Sequence, residues 1–367
     1  MKKLAIKTIL VPVDFSKLAT SALTTAADLA RRFGATVHLV HVHEFFYPPG
    51  PLAPVPLPFE DERENAASRR QRHLRLLATK NGFEAANCHL LTGAPTFNEI
   101  CHLAKELPAD LIVMPTHGYT GMAHFFGGST AERVVQHAPC PVLVTRESVK
   151  SGRARKKLSI KTILVPVDFS EPSRQALIYA IDFAEKFAAH LVLLHVVICH
   201  SAFTPEGYAM YDFSTIEQAW RENAEKEIQR LVKSLNFQQV RFETIVTVAT
   251  PVAEICRMAN ECGADLVITA THGRTGFKHL LIGSVAEQVV RHAHPPVLVV
   301  PSHPAVRQVR LTTKANHSLL RRRAPAPAKP SNGAAVTKPE RKLTRNRIPG
   351  KRKANRFASH IQAKTGL

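Results

Sequence analysis

Two similar loops in this chain of 367 residues combine glycine, histidine and hydroxyl side chains, which could contact a bound anion. The first reads MPTHGYTGMAHFFGGST (114–130) and the second TATHGRTGFKHLLIGSV (269–285). Each follows an apolar run and ends at a glycine-serine pair, Gly128-Ser129 or Gly283-Ser284, where a helix is predicted to begin. Unpaired backbone N–H groups, a hydroxyl and the positive end of a helix dipole suit a phosphate group at such a place.

A second interpretation of the same residues needs no ligand. Ser129-x-x-Glu132 and Ser284-x-x-Glu287 fit a capping box, which stabilises a helix start by about 1 kcal/mol. Gly118 and Gly273, earlier in the loops, would let backbone approach a ligand with no Cβ in the way. These residue types alone leave capping and phosphate binding equally open.

Other chemistries have weaker support. His41-x-His43-Glu44 could hold a metal, but the second copy of the pattern has Val197 in place of the second histidine, and further ligands are missing. His117 and His272, within THG, are predicted to fix the loops rather than to act as general bases. The sequence contains no Walker-type loop and no nucleophile elbow, so at most slow ATP hydrolysis is expected.

A repeat determines which elements must position these loops. IKTILVPVDFS occurs at 6–16 and again at 160–170, and the loops recur at nearly the same offset. Each copy alternates short β-branched runs with segments of helical periodicity, which is typical of a parallel sheet covered on both faces. The predicted fold class is therefore α/β, with two tandem doubly wound domains of Rossmann-like type, each with a five-stranded parallel sheet. Strands are predicted at 8–13, 36–42, 84–91, 111–115, 141–145, 162–167, 191–197, 240–246, 266–270 and 296–300.

Composition separates four segments of the chain. Residues 1–147 and 159–302 are the two predicted domains, 148–158 a linker and 303–367 a tail. The tail holds 17 Lys/Arg and one acidic residue, which is +16 of the formal charge of +20 and leaves +4 for the first 302 residues. We expect the tail to be disordered and to contact nucleic acid or other polyanions, with a solvated tail lacking a partner as the alternative.

Cysteine usage and hydropathy indicate the compartment. Six cysteines fall at scattered spacings with no C-x-x-C pair, which is typical of free thiols in a reducing environment. The apolar start of the chain recurs at 160–170, so it is predicted to be a strand rather than a signal peptide, and no apolar run is long enough for a transmembrane helix. A cytoplasmic location is expected.

The ordered motifs resemble the universal stress protein (UspA-type) family. Its nucleotide-binding members carry G-x-x-G, nine residues and G-[S/T] after the fourth strand, and nine residues separate Gly118 from Gly128 and Gly273 from Gly283. VPVDFS after the first strand, VHV or LHV ending the second, and HAPCPVLV or HAHPPVLV before the last also match. The resemblance covers about residues 5–146 and 159–301.

The resemblance implies a site for ATP or a related adenine nucleotide at the carboxyl edge of each sheet, and it allows Mg²⁺ to accompany the nucleotide. A sensing or switching role in stress response is implied rather than catalysis. The residues matching the family site in the first copy are Pro12, Asp14 and Val42 for adenosine and Gly118, Gly128, Ser129 and Thr130 for phosphates. Those of the second are Pro166, Asp168 and Val196, then Gly273, Gly283, Ser284 and Val285. Ala270 and His272 in the same loop are also predicted to belong to the second site.

The two copies depart from the family loop in different ways. Its first glycine is Pro115 in the first copy and Ala270 in the second, and proline is the larger change because it fixes φ and lacks an N–H. Arg274 and Lys278 in the second loop could neutralise phosphates. The second copy is therefore predicted to be the better site. Family members commonly pair through the last strand, which implies an internal pseudo-dimer and leaves a further homodimer open.

Overall fold

Each domain's strands are short and apolar and alternate with helices that cover them. The computed structural model describes residues 4–16, 18–44, 60–116, 130–146, 158–198, 213–237, 239–273 and 283–302, and of these the side chains of 60–63 and 213–216 are not described. Gly118, Gly128 and Ser129, the cations Arg274 and Lys278, residues 45–59 and the tail thus lie outside the described residues.

The first copy has five strands and four α-helices in its described part. They are β1 (Thr8–Pro12), α1 (Ala19–Phe33), β2 (Thr36–His43), α2 (Glu60–Lys80), β3 (Cys88–Thr92), α3 (Thr96–Glu106), β4 (Leu111–Pro115), α4 (Thr130–His137) and β5 (Val142–Thr145).

The second copy repeats this order within its described part. Its elements are β6 (Thr162–Pro166), α5 (Glu171–Phe187), β7 (His190–Val197), α6 (Phe213–Ser234), β8 (Phe242–Val248), α7 (Pro251–Glu261), β9 (Leu266–Ala270), α8 (Ser284–His292) and β10 (Val297–Val300). The two doubly wound α/β halves confirm the predicted fold class.

All ten strands form one sheet in the order β3-β2-β1-β4-β5-β10-β9-β6-β7-β8. Pairing is parallel within each copy and antiparallel only between β5 and β10, where Leu143 lies opposite Leu298, its counterpart in the repeat. The first strand of each copy, β1 or β6, lies beside both the second and the fourth strands. The crevice between the first and fourth strands, at the carboxyl ends, is where doubly wound folds bind ligands.

Alternating side chains of each strand enter two hydrophobic layers, which explains the continuous apolar runs. In β1, Ile9 and Val11 pack into the layer that contains residues of α1, α2, α5 and α6, while Leu10 enters the layer of α3, α4, α7 and α8. The first layer crosses between the copies, since the Phe33 and Phe183 ring centroids are 5.7 Å apart. Among the described residues, no helix is both long and apolar enough to cross a membrane.

Several predicted element ends differ from the observed ones. Strands predicted to begin at residues 84 and 240 begin at Cys88 and Phe242. In the first case a short 3-10 helix, Ala85–Asn87, occupies the start of the apolar stretch. Such a turn bears apolar residues as readily as a strand does, so composition could not separate the two.

Candidate functional site

The loop after β6 carries the carboxylate of the predicted second-copy site. Asp168 Oδ1 accepts hydrogen bonds from Ser170 N at 3.0 Å and Ser170 Oγ at 2.6 Å. Phe169 between them has a φ of 63°, a left-handed conformation that is unusual for a bulky residue. This turn leaves the other carboxylate oxygen, Oδ2, directed at the neighbouring glycine loop.

A buried histidine on β7 holds that turn in place. His195 Nδ1 donates to Val167 O at 2.7 Å, and its ring lies 4.4 Å from the ring of Phe169, centroid to centroid. The side chain is 8% exposed. His195 therefore supports the left-handed Phe169 and, through it, the position of Asp168.

Two glycines bring the loop after β9 close to other groups. A Cβ on Gly273 would lie 2.4 Å from Asp168 Oδ2, so any side chain there would displace the carboxylate. Gly283 N donates to Thr271 O at 2.6 Å, and a Cβ on Gly283 would lie 3.3 Å from the same oxygen. The backbone at both positions thus forms a narrow cradle beside the carboxylate.

Helix α8 begins with no side-chain cap. Its N-cap is Gly283, with extended backbone angles and no side-chain hydrogen bond, and Ser284 is the first helical residue. The capping-box interpretation is therefore wrong in the second copy, because the serine is one position too late to be the N-cap. The first intrahelical bond at this end runs from Glu287 N to Gly283 O, which leaves the N–H groups of residues 284–286 without an intrahelical acceptor.

These groups surround one cavity of about 480 Å³ at the carboxyl ends of β6, β7 and β9. This volume is in the range of small-molecule sites. The sequence-predicted residues that line it are Pro166, Asp168, Val196, Ala270, His272, Gly273, Gly283, Ser284 and Val285. The structure thus brings together every predicted second-copy residue that it describes.

His272 is engaged in a hydrogen-bond network at the edge of this cavity. Its Nδ1 lies 3.0 Å from Thr271 Oγ1 and 3.0 Å from Ser302 Oγ, and Ser302 N donates to Thr271 Oγ1 at 3.1 Å. The network joins the loop after β9 to the residues after β10. These contacts are what a loop-fixing role requires.

Helix α6 supplies a wall of the cavity that sequence reasoning missed. Trp220, Asn223, Ala224 and Glu227 line it, at the i, i+3, i+4, i+7 spacing of one helix face. The spacing was visible in the sequence as helical periodicity. Nothing in that periodicity shows that the face covers the ends of β6 and β7.

The first copy holds its β1 loop in the same way. Asp14 Oδ1 accepts from Ser16 N at 3.0 Å, and Phe15 has a φ of 61°. His41 Nδ1 donates to Val13 O at 2.8 Å, and its ring lies 4.4 Å from that of Phe15. Of the other predicted residues in this copy, Pro12 ends β1, Val42 lies near the end of β2 and Thr130 begins α4.

The α2 side of the first copy carries different groups. The rings of Phe15 and His73 stack at 4.5 Å with an interplanar angle of 8°. Burial lowers the pKa of His41, and the positive charge of Arg70 acts in the same direction, against the hydrogen bond to Val13 O. Asp14 Oδ2 is buried and has no hydrogen-bond partner among the described residues.

Two of the three groups considered for a metal site, His41 and Glu44, have other partners. His41 binds the backbone of the β1 loop, and Glu44 accepts hydrogen bonds from the backbone N–H (2.8 Å) and the hydroxyl of Thr96. Within the described ranges, no group of three or more His, Cys, Asp or Glu side chains could hold a metal ion.

The described cysteines are free thiols that offer little nucleophilic chemistry. Burial raises the pKa of Cys101 to about 11 and raises that of Cys140 as well. Both thiols are therefore protonated at neutral pH, and both lie away from the cavity in the layer of α3, α4, α7 and α8.

Comparison with known proteins identifies the repeated unit. Residues 5–146 and 159–301 each match the universal stress protein family. One universal stress protein of Methanocaldococcus jannaschii is 32% identical over 142 residues, covering 38% of this chain and 81% of that protein. A universal stress protein of Mycobacterium tuberculosis is 28% identical over 322 residues, covering 81% of this chain and 96% of that protein, so the similarity extends across both copies.

A solved structure agrees at the level of the fold. The crystal structure of a universal stress protein from Archaeoglobus fulgidus superposes with a TM-score of 0.52 at 19% identity, covering 80% of this chain and 96% of that one. The resemblance stated from the loop motifs is thereby confirmed. The chain belongs to the universal stress protein family and carries two of its domains in tandem.

Proposed function

We propose that this chain binds ATP or a related adenine nucleotide in the cavity of the second copy, and that binding serves as a sensor or switch in stress response. The observation that carries the proposal is the meeting, in one cavity, of the Asp168 carboxylate, the glycine cradle and the uncapped start of α8. An acceptor and a row of backbone donors beside it fit a ribose joined to phosphates.

Each group has a role that follows from its chemistry. Asp168 Oδ2, which faces the glycine cradle, would accept hydrogen bonds from the ribose hydroxyls. The N–H groups at the start of α8, which have no intrahelical acceptor, and the Ser284 hydroxyl would donate to phosphate oxygens. The backbone of Val196 would contact the base. Neutralisation of the phosphates by Arg274 and Lys278 remains a prediction from the sequence.

The lining is better suited to binding than to hydrolysis. Of its carboxylates, Asp168 binds the Ser170 hydroxyl and Glu227 Oε1 lies 2.5 Å from Arg230 Nη1, so each has an engagement other than activating water. A ligand that binds one conformation better than another shifts the population toward it, which is sufficient for a switch. Mg²⁺ would enter with the nucleotide rather than through protein ligands.

The family background is consistent with this ligand class. One universal stress protein has been solved in complex with cAMP, an adenine nucleotide. For the present chain the proposal rests on its own cavity and on the spacing of its loop glycines.

Isothermal titration of the purified chain with ATP tests the proposal. The double variant Gly283→Val with Ser284→Ala should lose detectable ATP binding, because valine at residue 283 would press on Thr271 O and the hydroxyl would be gone. Mass spectrometry of any nucleotide that co-purifies would identify the natural ligand.

The matched control is Gly128→Val with Ser129→Ala in the first copy. It should leave the ATP affinity within about twofold of the wild type. A twofold change corresponds to less than about 0.5 kcal/mol of binding free energy. An unchanged affinity in the second-copy variant would contradict the site assignment. A chain that binds no adenine nucleotide would contradict the function.

We propose further that the chain works in the cytoplasm and that its tail contacts polyanions. The charge of +16 over residues 303–367 supports salt-sensitive attraction to nucleic acid. The tail lies outside the described residues, so its role rests on composition. The free state of the described thiols is compatible with a reducing compartment.

A further inference from the structure

Exposed apolar side chains are concentrated at the second-copy cavity. Among the described residues, five large hydrophobic side chains are exposed, and three of them, Ile198 (53%), Trp220 (40%) and Val285 (37%), line this cavity. Single exposed apolar residues are ordinary on protein surfaces, but several at one small concave site are not. The cavity therefore presents apolar surface that a bound group could cover.

The α6 wall presents this surface in a fixed arrangement. Trp220 and Glu227 are seven residues apart on one face, which at 1.5 Å per residue places them roughly 10 Å apart along the helix. Ala224, between them, is buried and adds no bulk that would block access. A flat ring in the cavity could therefore contact the exposed part of the Trp220 side chain.

Strand order places this wall at the end of the cavity opposite the phosphate cradle. Across the sheet, β6 separates β7 from β9. The glycine cradle and α8 belong to the β9 side, whereas Ile198 follows β7 and α6 packs on β7 and β8. The strands β7 and β9 are two strand spacings apart, which is roughly 10 Å. This distance leaves room for a ribose between a phosphate on the β9 side and a base on the β7 side.

We propose that Trp220, together with Ile198, forms an aromatic clamp that stacks on the base of the bound nucleotide and selects for a large purine ring. This inference rests on the proposed nucleotide function and adds the residue that reads the base. Stacking of a base on an aromatic side chain is sequence-tolerant in general, but a purine offers more area than a pyrimidine. The equivalent position of α2 in the first copy is Ala66, so that copy lacks the clamp.

The chain has one tryptophan, so its indole fluorescence reports on this position alone. Titration of the full chain with ATP should change the emission of Trp220, with a midpoint equal to the calorimetric dissociation constant. Trp220→Ala should weaken ATP binding about tenfold, and Trp220→Phe should retain most of the affinity, because phenylalanine keeps a stacking face. The preference for ATP over CTP should shrink in Trp220→Ala.

Phe242→Ala is the matched control, since Phe242 is 37% exposed and does not line the cavity. It should leave both ATP affinity and the preference for ATP over CTP unchanged. One outcome would overturn the clamp and spare the proposed function. In it, the Gly283→Val/Ser284→Ala variant abolishes ATP binding, but ATP does not change the emission of Trp220 and Trp220→Ala binds ATP as tightly as the wild type. A chain that binds no nucleotide would overturn both.

Discussion

The two copies share the device that positions their carboxylate and differ in the helix that faces it. In both, a left-handed phenylalanine and a histidine bonded to a loop carbonyl hold the turn after the first strand. Opposite that turn, the second copy has Ala224 and Glu227 where the first has Arg70 and His73. The β-strand scaffold therefore does not by itself define the binding site, since the covering helix determines what space remains.

The difference extends to the charge of those helices. In α6, glutamates and arginines form ion pairs along the helix, such as Arg221 with Glu217 at 3.3 Å. In α2, Arg70 is close enough to lower the pKa of His43 as well, after the larger effect of burial. A cation and a stacked ring next to the β1 loop occupy the side where the second copy has the α6 wall. We infer that the first copy holds a nucleotide less well.

The largest expected effect is at the glycine beside the second-copy carboxylate. Gly273→Ala should fold, because only the end of the Asp168 side chain must move, but it should weaken ATP binding about a hundredfold, or about 2.7 kcal/mol. Calorimetry measures the loss, and Gly118→Ala in the first copy is the control that should have little effect. Equal losses in both variants would remove the proposed difference between the copies.

A smaller effect should follow from giving the second copy the wall of the first. Ala224→Arg places a guanidinium in the cavity and should reduce ATP affinity about tenfold, or about 1.4 kcal/mol. The reciprocal Arg70→Ala should leave affinity at the second copy unchanged. Thermal unfolding must show that Ala224→Arg remains folded, since Ala224 is buried. Wild-type affinity in that variant would mean that the wall does not distinguish the copies.

The smallest effect concerns acid sensitivity, which the first copy should contribute. His38 Nδ1 lies 3.0 Å from His89 Nε2, and burial lowers the pKa of both imidazoles from 6.5. The charge of His89 lowers the pKa of His38 further. The unfolded chain therefore binds protons at a higher pH than the folded chain does. The free energy of unfolding should fall as the pH drops below about 6.5.

The second copy has Val192 and Ile245 at the corresponding strand positions. His38→Val with His89→Ile should therefore lose part of this pH dependence, measured as the difference between urea unfolding at pH about 8 and about 5. An equally steep dependence in the double variant would assign the acid sensitivity to other groups.

Sequence periodicity was sufficient for the fold, and the family resemblance was sufficient for half of the site. Near-continuous apolar runs such as TILVP predicted strands buried on both faces, and the observed β1 and β6 have that burial pattern. The resemblance to the universal stress protein family, carried by the spacing of Gly273 and Gly283 among other motifs, implied the residues that meet at the cavity. They meet because loops after neighbouring parallel strands converge at one edge of the sheet.

The α6 wall and the start of α8 could not be predicted in the same way. Helical spacing shows that Trp220 and Ala224 share a face, but which strands that face covers depends on the path of the chain between β7 and α6. Ser284 followed by Glu287 matches a capping box in sequence, yet the extended backbone of Gly283 makes glycine the N-cap. A shift of one residue at a helix start changes whether a serine caps the helix or faces a ligand.

The antiparallel pairing of β5 with β10 has a consequence for cooperativity. Each of these strands is bonded on one side by its own copy and on the other by its counterpart, so neither copy can melt its last strand without opening a sheet edge in the other. Because the two copies share one 10-stranded sheet, we expect them to unfold cooperatively. A ligand that binds one copy should then raise the free energy of unfolding of both copies.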